Sequence, residues 1–209
     1  MFENVFSEYT VTDVAFRVSG EADYTNAHGA GSMSEDYTIK TVTKANSNVV
    51  VKKVNRRPQD GKVKFKLHMP RDIYNELQGI VHDESEGLIE GVYALGSGKR
   101  KETEIAVRVE DEDGNAFFKY YPSARSSIFS ESTESEADEV AEVDMEFDLS
   151  QDEYKQFRYT ALEDDLPTTG AITKDTWLTA VSSAALHGGA SGASGASGAS
   201  GASGTSGQG

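Results

Sequence analysis

Apolar and polar residues alternate along much of the chain, and a period of two is typical of strands that bury one face. The clearest example is Lys62–Met69, where apolar residues would share one face of a strand and basic residues most of the other. Glu142–Leu149 repeats this pattern with acids in place of the bases. The sequence therefore predicts a basic strand and an acidic strand, each with an apolar face on the core.

Further strands are predicted wherever short runs of β-branched and aromatic residues are bounded by turn-forming residues. These runs are Val11–Val18, Asp36–Thr43, Gly87–Leu95, Glu102–Glu110, Ala116–Tyr121 and Gln156–Leu162. Strands outnumber every other predicted element, so the fold class is expected to be mainly β.

The basic segment is predicted to form a β-hairpin. Val49–Val54 has the composition of a strand, and Pro58–Gly61 has the chemistry of a turn because proline presets φ and glycine tolerates positive φ. We therefore expect Val49–Val54 and Lys62–Met69 to be the two strands of this hairpin.

One helix is predicted directly after the basic strand, at Pro70–Val81. Proline stands at its first position, Gly79 lies near its end, and apolar residues recur with helical spacing at Ile73, Leu77, Ile80 and Val81. Two stretches of low hydrophobicity, Glu21–Asp36 and Ser123–Ala137, are predicted to be long loops.

Charge is distributed unevenly along the chain. The 209 residues include 35 acids and 20 bases, for a net charge of −15. Lys44–Arg71 holds nine bases and one acid, whereas Glu131–Glu153 holds eleven acids and no base. The overall acidic excess argues against binding to a phosphate backbone, because cationic contacts supply most of that affinity.

The motifs of catalysis and metal binding are weak or missing. The chain has no cysteine, and its four histidines are scattered in the sequence. Asp111–Asn115 faintly resembles a calcium loop, but Tyr120 stands where the bidentate Glu is required, so a hairpin turn is expected there. We predict no catalytic residue, no metal site and no cofactor.

The termini carry two further signals. Ala190–Gly204 repeats Ala-Ser-Gly five times, a composition that predicts a flexible tail. The N-terminus lacks the basic and then apolar pattern of a signal peptide, and no apolar run reaches the roughly 18 residues of a membrane span. We expect a protein that is assembled in the cytoplasm, without a membrane partner.

The order of these elements resembles that of the major tail proteins, or tail-tube proteins, of phages with long non-contractile tails. The resemblance covers roughly Val11–Asp165. It is carried by GKVKFKLHMPRDIYNELQGIVHD, LIEGVYALGS, KYYPSARSSIFSESTESEADEVAEVDMEFDLS and FRYTALEDD. The Ser/Thr/Glu-rich loop before the acidic strand is its most telling element, and the family has no catalytic motif.

This resemblance implies a β-sandwich with one flanking helix and long assembly loops. It also implies hexameric rings that stack into a hollow tube through which DNA is ejected, with tape-measure and tail-terminator proteins as partners. Such a protein would be located in the virion tail after assembly in the host bacterial cytoplasm. The expected organisation is a tail-tube domain at 1–165, a C-terminal arm at 166–187 and the flexible tail at 188–209.

The basic and acidic segments are expected to serve assembly, since a basic tube lining would retain DNA at every ring. Cations of one subunit would approach acids of a neighbour and set the register of docking. The arm, Thr173–Ala185, fits neither period and is predicted to be extended, with its aromatic residue anchored on a neighbouring subunit. The predicted interface residues are Lys52, Lys53, Arg56, Arg57, Lys62, Lys64, Lys66, Glu142, Asp144, Glu146, Asp148 and Trp177. A merely solvated basic strand face is the simpler interpretation.

Two other functions are compatible with the composition. A carbohydrate-binding or adhesion β-sandwich of a virion or cell surface would use exposed rings, and the chain has nine Tyr, nine Phe and one Trp. A nucleic-acid-binding hairpin would need aromatic residues beside its bases, but Phe65 is predicted on the opposite face of the strand.

Overall fold

A computed structural model describes residues 10–27, 30–46, 49–81, 89–95, 100–130 and 143–188. In these ranges the chain forms ten strands, three short helices and a 3₁₀ turn at Glu163–Asp165. The strands are β1 (Thr10–Val18), β2 (Thr25–Ala27), β3 (Ala30–Asn46), β4 (Val49–Leu67), β5 (Ile80–Val81), β6 (Ala94–Leu95), β7 (Glu102–Glu110), β8 (Ala116–Ser130), β9 (Val143–Leu149) and β10 (Tyr159–Leu162). The helices are α1 (Arg71–Gln78), α2 (Trp177–Ala180) and α3 (Ser183–Leu186). The expectation of a mainly β fold is confirmed.

Most strands belong to one antiparallel sheet with the order β2-β1-β7-β8-β9-β4-β3. The long strand β8 pairs with β10 near its start and with β9 near its end. The sheet curls so that β1 lies against β3, although these strands are far apart in the pairing order. The remaining strands, β5 and β6, form a small separate ribbon after α1.

The main core fills the inside of this curled sheet. Three phenylalanines from three strands meet there, with the ring of Phe147 5.8 Å from Phe16 and 6.1 Å from Phe65. Helix α1 adds Ile73 and Leu77 to the same cluster. The helix ends at Gly79, which has a φ of 70° and whose N–H caps the last carbonyls, a conformation that favours glycine. An amphipathic helix directly after the basic strand is therefore confirmed, but it is shorter than predicted, since Ile80 and Val81 belong to β5 rather than to the helix.

A second apolar cluster lies on the outer side of β1, β7 and β8. Ala15, Ala106 and Phe118 point outward there and are covered by Trp177 and Val181 from the C-terminal segment. The C-terminal residues up to 188 are thus packed on the same sheet as the rest of the domain.

The predicted turn at Pro58–Gly61 is wrong, because β4 runs through it without reversing. The pairing with β3 shifts register on both sides of Ile39, the partner of Pro58, and such an irregularity accommodates a residue without an N–H. Gly61 is required by its neighbour, since a Cβ there would lie 2.8 Å from the ring of Tyr37. The hairpin is instead formed by β3 and β4.

Other predicted boundaries differ in detail. Glu21–Asp36 contains β2 and the start of β3, and Ser123–Ser130 continues β8, so neither stretch is simply a loop. The rest of the second predicted loop, residues 131–137, lies outside the described residues. Gly87–Leu95 was expected to be a strand, but in its described part, residues 89–95, only Ala94–Leu95 is one, because Ile89–Val92 forms a turn.

A buried ion pair links β3 to β8 across the inside of the sheet. Lys119, only 2% exposed, donates to Glu35 over 2.8 Å, and Arg158 also contacts this carboxylate. Burial by itself would raise the pKa of Glu35, but the hydrogen bond from Lys119 and the charges of Lys119 and Arg158 lower it below its usual value. The pair therefore connects β3 and β8 across the inside of the curled sheet.

We expect Phe147→Ala to destabilise the protein by about 3 to 5 kcal/mol, since it removes a fully buried ring from the centre of the core. The neighbouring change Asp148→Ala, on the exposed face of the same strand, should cost no more than about 1 kcal/mol. Chemical denaturation of both variants measures the two values. Equal destabilisation by the two changes would contradict the assignment of Phe147 to the buried face of β9 and of Asp148 to its exposed face.

We expect Glu35→Gln to cost about 3 to 5 kcal/mol, because it removes the largely buried negative charge that pairs with both Lys119 and Arg158. The change Lys66→Gln, on the exposed face of β4, is the control and should cost less than about 1 kcal/mol.

The same pair should appear in the pH dependence of stability. The pKa of Glu35 is lower in the folded state, so its contribution is present above the usual value of 4.5 and is lost as the pH falls through the folded-state pKa. Denaturation between neutral and acid pH should therefore show a smaller acid loss in Glu35→Gln than in the parent. An identical pH profile for both proteins would contradict this role.

Candidate assembly surface

The predicted basic and acidic strands lie side by side in the same chain. β4 and β9 pair antiparallel, and their register sets Lys62 opposite Asp148, Lys64 opposite Glu146 and Lys66 opposite Asp144. Because side chains alternate, the apolar residues between them all point into the core. We call the six outward residues the charge ladder.

Ion pairs connect the two sides of the charge ladder. Glu146 accepts from Lys62 and lies 3.0 Å from Lys64, while Lys62 also lies 3.4 Å from Asp148. The hydrogen bonds from Lys62 and Lys64 lower the pKa of Glu146, and the hydrogen bond to Glu146 raises the pKa of Lys62. Lys66 is the most loosely paired of the three, at 3.8 Å from Asp144.

The charge ladder differs from the expected arrangement in one respect. The partners were expected to lie in neighbouring subunits, whereas these contacts are within one chain. Three lysines face three acids, so the surface has no net charge. Because these lysines are already paired with acids, they would contribute little affinity for the phosphates of a duplex. This weakens the interpretation of the hairpin as a nucleic-acid-binding element.

The other predicted bases lie on the part of β4 that extends beyond the sheet. The backbones of Lys52 and Lys53 pair with Lys44 and Thr43 of β3. The side chains of Lys52, Lys53, Arg56 and Arg57, and the whole of Glu142, lie outside the described residues. Their role at an interface remains a prediction.

The outer half of the β3–β4 hairpin is a two-stranded ribbon. β4 pairs with β9 only over Gly61–Leu67, whereas its earlier residues, 49–60, pair with β3 alone within the described part of the chain. Among the described residues, therefore, no strand lies beside one edge of this half of β4. We call residues 39–58 the ribbon.

The prediction for Trp177 is wrong, because its side chain is buried in its own chain rather than offered to a neighbour. Only 1% of the residue is exposed, its Nε1–H donates to the carbonyl of Lys119, and its ring packs 5.4 Å from that of Phe118. The segment is not extended either, since α2 and α3 fold it back on the sheet. Periodicity did not reveal this because each helix is a single turn.

Polar contacts fasten this C-terminal segment to the sheet. Tyr24 donates to the carbonyl of Val181 over 2.7 Å, and Ser183 donates to Asp152. His187 stacks on Tyr154, with 3.7 Å between the ring centres. This cluster does not have the order of a Ser-His-Asp triad, because the serine donates directly to the acid and the His187 Nε2 contacts Tyr159.

A groove of about 380 Å³ opens beside the charge ladder. The ladder residues Lys64, Lys66, Asp144 and Glu146 line it together with residues of β3, among them Ser34. It lies on three adjacent strands, β3, β4 and β9. The C-terminal segment covers the other side of the outer surface, over β1, β7 and β8.

An exposed apolar loop was missed as a candidate surface because its sequence has the composition of a strand. Exposed fractions are 75% for Ile89, 40% for Val92, 56% for Tyr93 and 58% for Leu95. We call Ile89–Leu95 the apolar loop. Two features of the sequence could have indicated an exposed loop here: the apolar residues do not alternate regularly with polar ones, and the run includes Gly91.

The described residues contain neither a metal cluster nor a membrane-spanning helix. Among the described residues, no three His, Cys, Asp or Glu side chains are grouped so that they could hold a metal ion. No helix in the described ranges is long and apolar enough to cross a membrane.

Comparisons with known proteins give only distant structural matches. No family model matches the sequence, and no curated protein matches it. One similar solved structure is the tube-terminating cap of the anti-feeding prophage. It matches with 10% identity, a TM-score of 0.42 and coverage of 77% of this chain and 96% of that chain. A chain of the sheath-tube complex of an extracellular contractile injection system, PVC, matches with 12% identity, a TM-score of 0.42 and coverage of 77% and 94%. A chain of the anti-feeding prophage baseplate matches with 8% identity, a TM-score of 0.38 and coverage of 77% and 97%. At TM-scores below 0.5 these likenesses do not establish a shared fold.

Proposed function

We propose that this protein is a structural subunit of a phage-type tail tube, in which hexameric rings of identical copies stack into a hollow conduit for DNA. The observation that carries the proposal is the ribbon. It extends a two-stranded hairpin beyond the sheet and leaves one edge of β4 without a partner strand in the described structure.

The ribbon needs a partner for two physical reasons. A hairpin of two strands is only marginally stable in water by itself, and three or more strands are normally needed. Its open edge also presents backbone N–H and C=O groups that pair readily with another chain. Adding strands from neighbouring copies would satisfy these groups, and closing the ring would remove the last edge.

The charge of the chain suits a conduit for DNA. Six copies carry six times −15, or −90, and the three ladder lysines are already paired within each copy. Such a ring would repel phosphates, so a duplex could slide through it without binding. The resemblance described above adds tape-measure and tail-terminator proteins as partners, the virion tail as the location and a non-enzymatic role.

The alternative function, a carbohydrate-binding or adhesion module, has less support. Its strongest candidate, Trp177, is buried and cannot stack on a sugar. The aromatic residues among the most exposed large apolar side chains, Tyr93 and Tyr154, belong to different segments.

Shortening the ribbon should abolish assembly without unfolding the domain. Thr41 and Asn55 are direct partners, so replacing residues 42–54 by Asn-Gly joins them through a two-residue turn. We expect the parent protein to form rings or tubes in negative-stain electron microscopy, and the shortened protein to be a folded monomer.

A matched deletion controls for the loss of chain length. Removal of Ala190–Gly209 takes away more residues but no apolar anchor, and should leave rings and tubes intact. Normal tubes from the shortened-ribbon protein would contradict the role of the ribbon. A parent protein that stays monomeric at every concentration would contradict the proposed function itself.

A further inference from the structure

The domain has a fixed order of layers between the charge ladder and the C-terminal segment. On the core side of β4 and β9, the rings of Phe65 and Phe147 lie 6.3 Å and 5.8 Å from the ring of Phe16 in β1. The opposite face of β1 carries Ala15, which Trp177 of the C-terminal segment covers. β4 and β9 therefore pack across the core from β1, and the charge ladder and the C-terminal segment lie on opposite sides of the domain.

These two sides differ in what covers them. Five of the six ladder side chains are about half exposed, from 47% for Lys62 to 57% for Asp148. The sixth, Glu146, is 13% exposed because it lies between Lys62 and Lys64. The charge ladder is therefore an open, hydrated strand face, whereas the C-terminal segment seals the opposite side.

The ribbon belongs to the same sheet as the charge ladder. Apart from local register shifts, β4 pairs with β3 from the ladder residue Lys66 to Val49 at the far end of the ribbon. In the proposed function, neighbouring copies add strands to the open edge of the ribbon. Strands joined in this way extend the sheet that carries the ladder, so this sheet becomes the wall of the ring.

A closed wall has one face toward the conduit and one face toward the outside. The core, β1, β7 and the C-terminal segment all lie on the core side of β4 and β9. If these layers pointed toward the axis of the ring, six copies of them would fill the conduit. They must therefore lie outside the wall, which leaves the ladder face toward the conduit.

We propose that the charge ladder lines the conduit and faces the DNA, and that the C-terminal segment faces the exterior of the tube. This inference rests on the proposed function and deepens it, because it names the surface of the chain that meets the DNA in transit. The Ala-Ser-Gly repeat follows the C-terminal segment in the sequence and would begin on the exterior, where a polar tail does not obstruct the conduit.

The chemistry of the charge ladder suits a surface along which a duplex slides. A lysine that faces phosphates without an acid beside it releases counterions and adds to a salt-dependent affinity. In the ladder, Lys62 and Lys64 both contact Glu146. Lys66 lies 3.8 Å from Asp144, so three cations meet three anions. None of the six ladder residues is aromatic, so a base has no ring there on which to stack.

Cysteine labelling of assembled tubes tests the orientation, because the chain has no cysteine of its own. Lys66→Cys and Asp148→Cys are two ladder variants, and Ala180→Cys places a thiol at an exposed position of α2. Each full-length variant is assembled and treated with a small maleimide or with a maleimide on a polyethylene glycol chain too large to enter the conduit. Mass spectrometry measures the labelled fraction.

We expect Ala180→Cys to react with both reagents in intact tubes, and the two ladder variants to react with the small reagent alone. As dispersed subunits, all three variants should react with both. Reaction of the ladder thiols with the large reagent in intact tubes would overturn the proposal, since the ladder would then lie on the exterior. Protection from both reagents would also overturn it, because the ladder would then lie in a contact between subunits.

Removal of the ladder acids tests the contact with DNA. One chain carries Asp144→Asn, Glu146→Gln and Asp148→Asn, which leaves the ladder lysines without their acids. Tubes of this variant, assembled with a short fluorescent duplex, should retain at least about tenfold more nuclease-protected duplex than parent tubes at low salt. Raising the salt concentration should release it.

A matched control removes three exposed acids elsewhere, by Asp164→Asn, Asp165→Asn and Asp175→Asn, and changes the net charge by the same amount. It should retain no more duplex than the parent. Equal retention by the two triple variants would overturn the proposal, since any loss of acidic charge would then suffice. No retention by the ladder variant would overturn it as well.

The outcomes separate this inference from the proposed function. Normal tubes whose ladder thiols react with the large reagent would overturn the orientation and leave the tube function standing. A parent protein that forms no rings or tubes would overturn both.

Discussion

The lateral pairing of β4 with β9 is the contact on which the rest of the structure depends. Its register sets Phe65 beside Met145 on the inner face and Lys64 beside Glu146 on the outer face. Since successive side chains point to opposite faces, a slip of one residue would bury the charges and expose the rings. The apolar core and the neutral charge ladder are therefore two results of a single register, and neither could change without the other.

The outer surface of the sheet is divided by what covers it. Over β1 and β7 the small residues Ala15 and Ala106 leave room for α2, so the ring of Trp177 packs closely on the strands. Over β4 and β9 the charge ladder remains open to solvent. Ion pairs within the subunit make this open surface polar without a strong field, so its contacts with a partner should depend less on salt than those of an unpaired basic strand.

Two features exceed what a monomer needs. Within the described residues the ribbon leaves one edge of β4 without a partner strand, and the apolar loop leaves Ile89 75% and Tyr93 56% exposed. Each carries a cost in isolation, because open edges and apolar patches promote association. Both costs would disappear if copies of the chain associated. One contact would pair the backbone groups at the edge of the ribbon, and another would bury the apolar loop. Repeated self-assembly, the function proposed above, would account for both surfaces.

Local pattern by itself determined the strand phase and helix α1, because alternation and the pair of Pro70 and Gly79 act within a few residues. It predicted that Lys64 and Glu146 lie on polar strand faces, but not that they lie side by side in one chain. The path of β4 through Pro58, the burial of Trp177 and the exposure of Tyr93 were also decided by the tertiary structure. The physical reason is common to all of them: which strand lies alongside, and which segment covers a face, depend on contacts between residues far apart in sequence, and no local period encodes them.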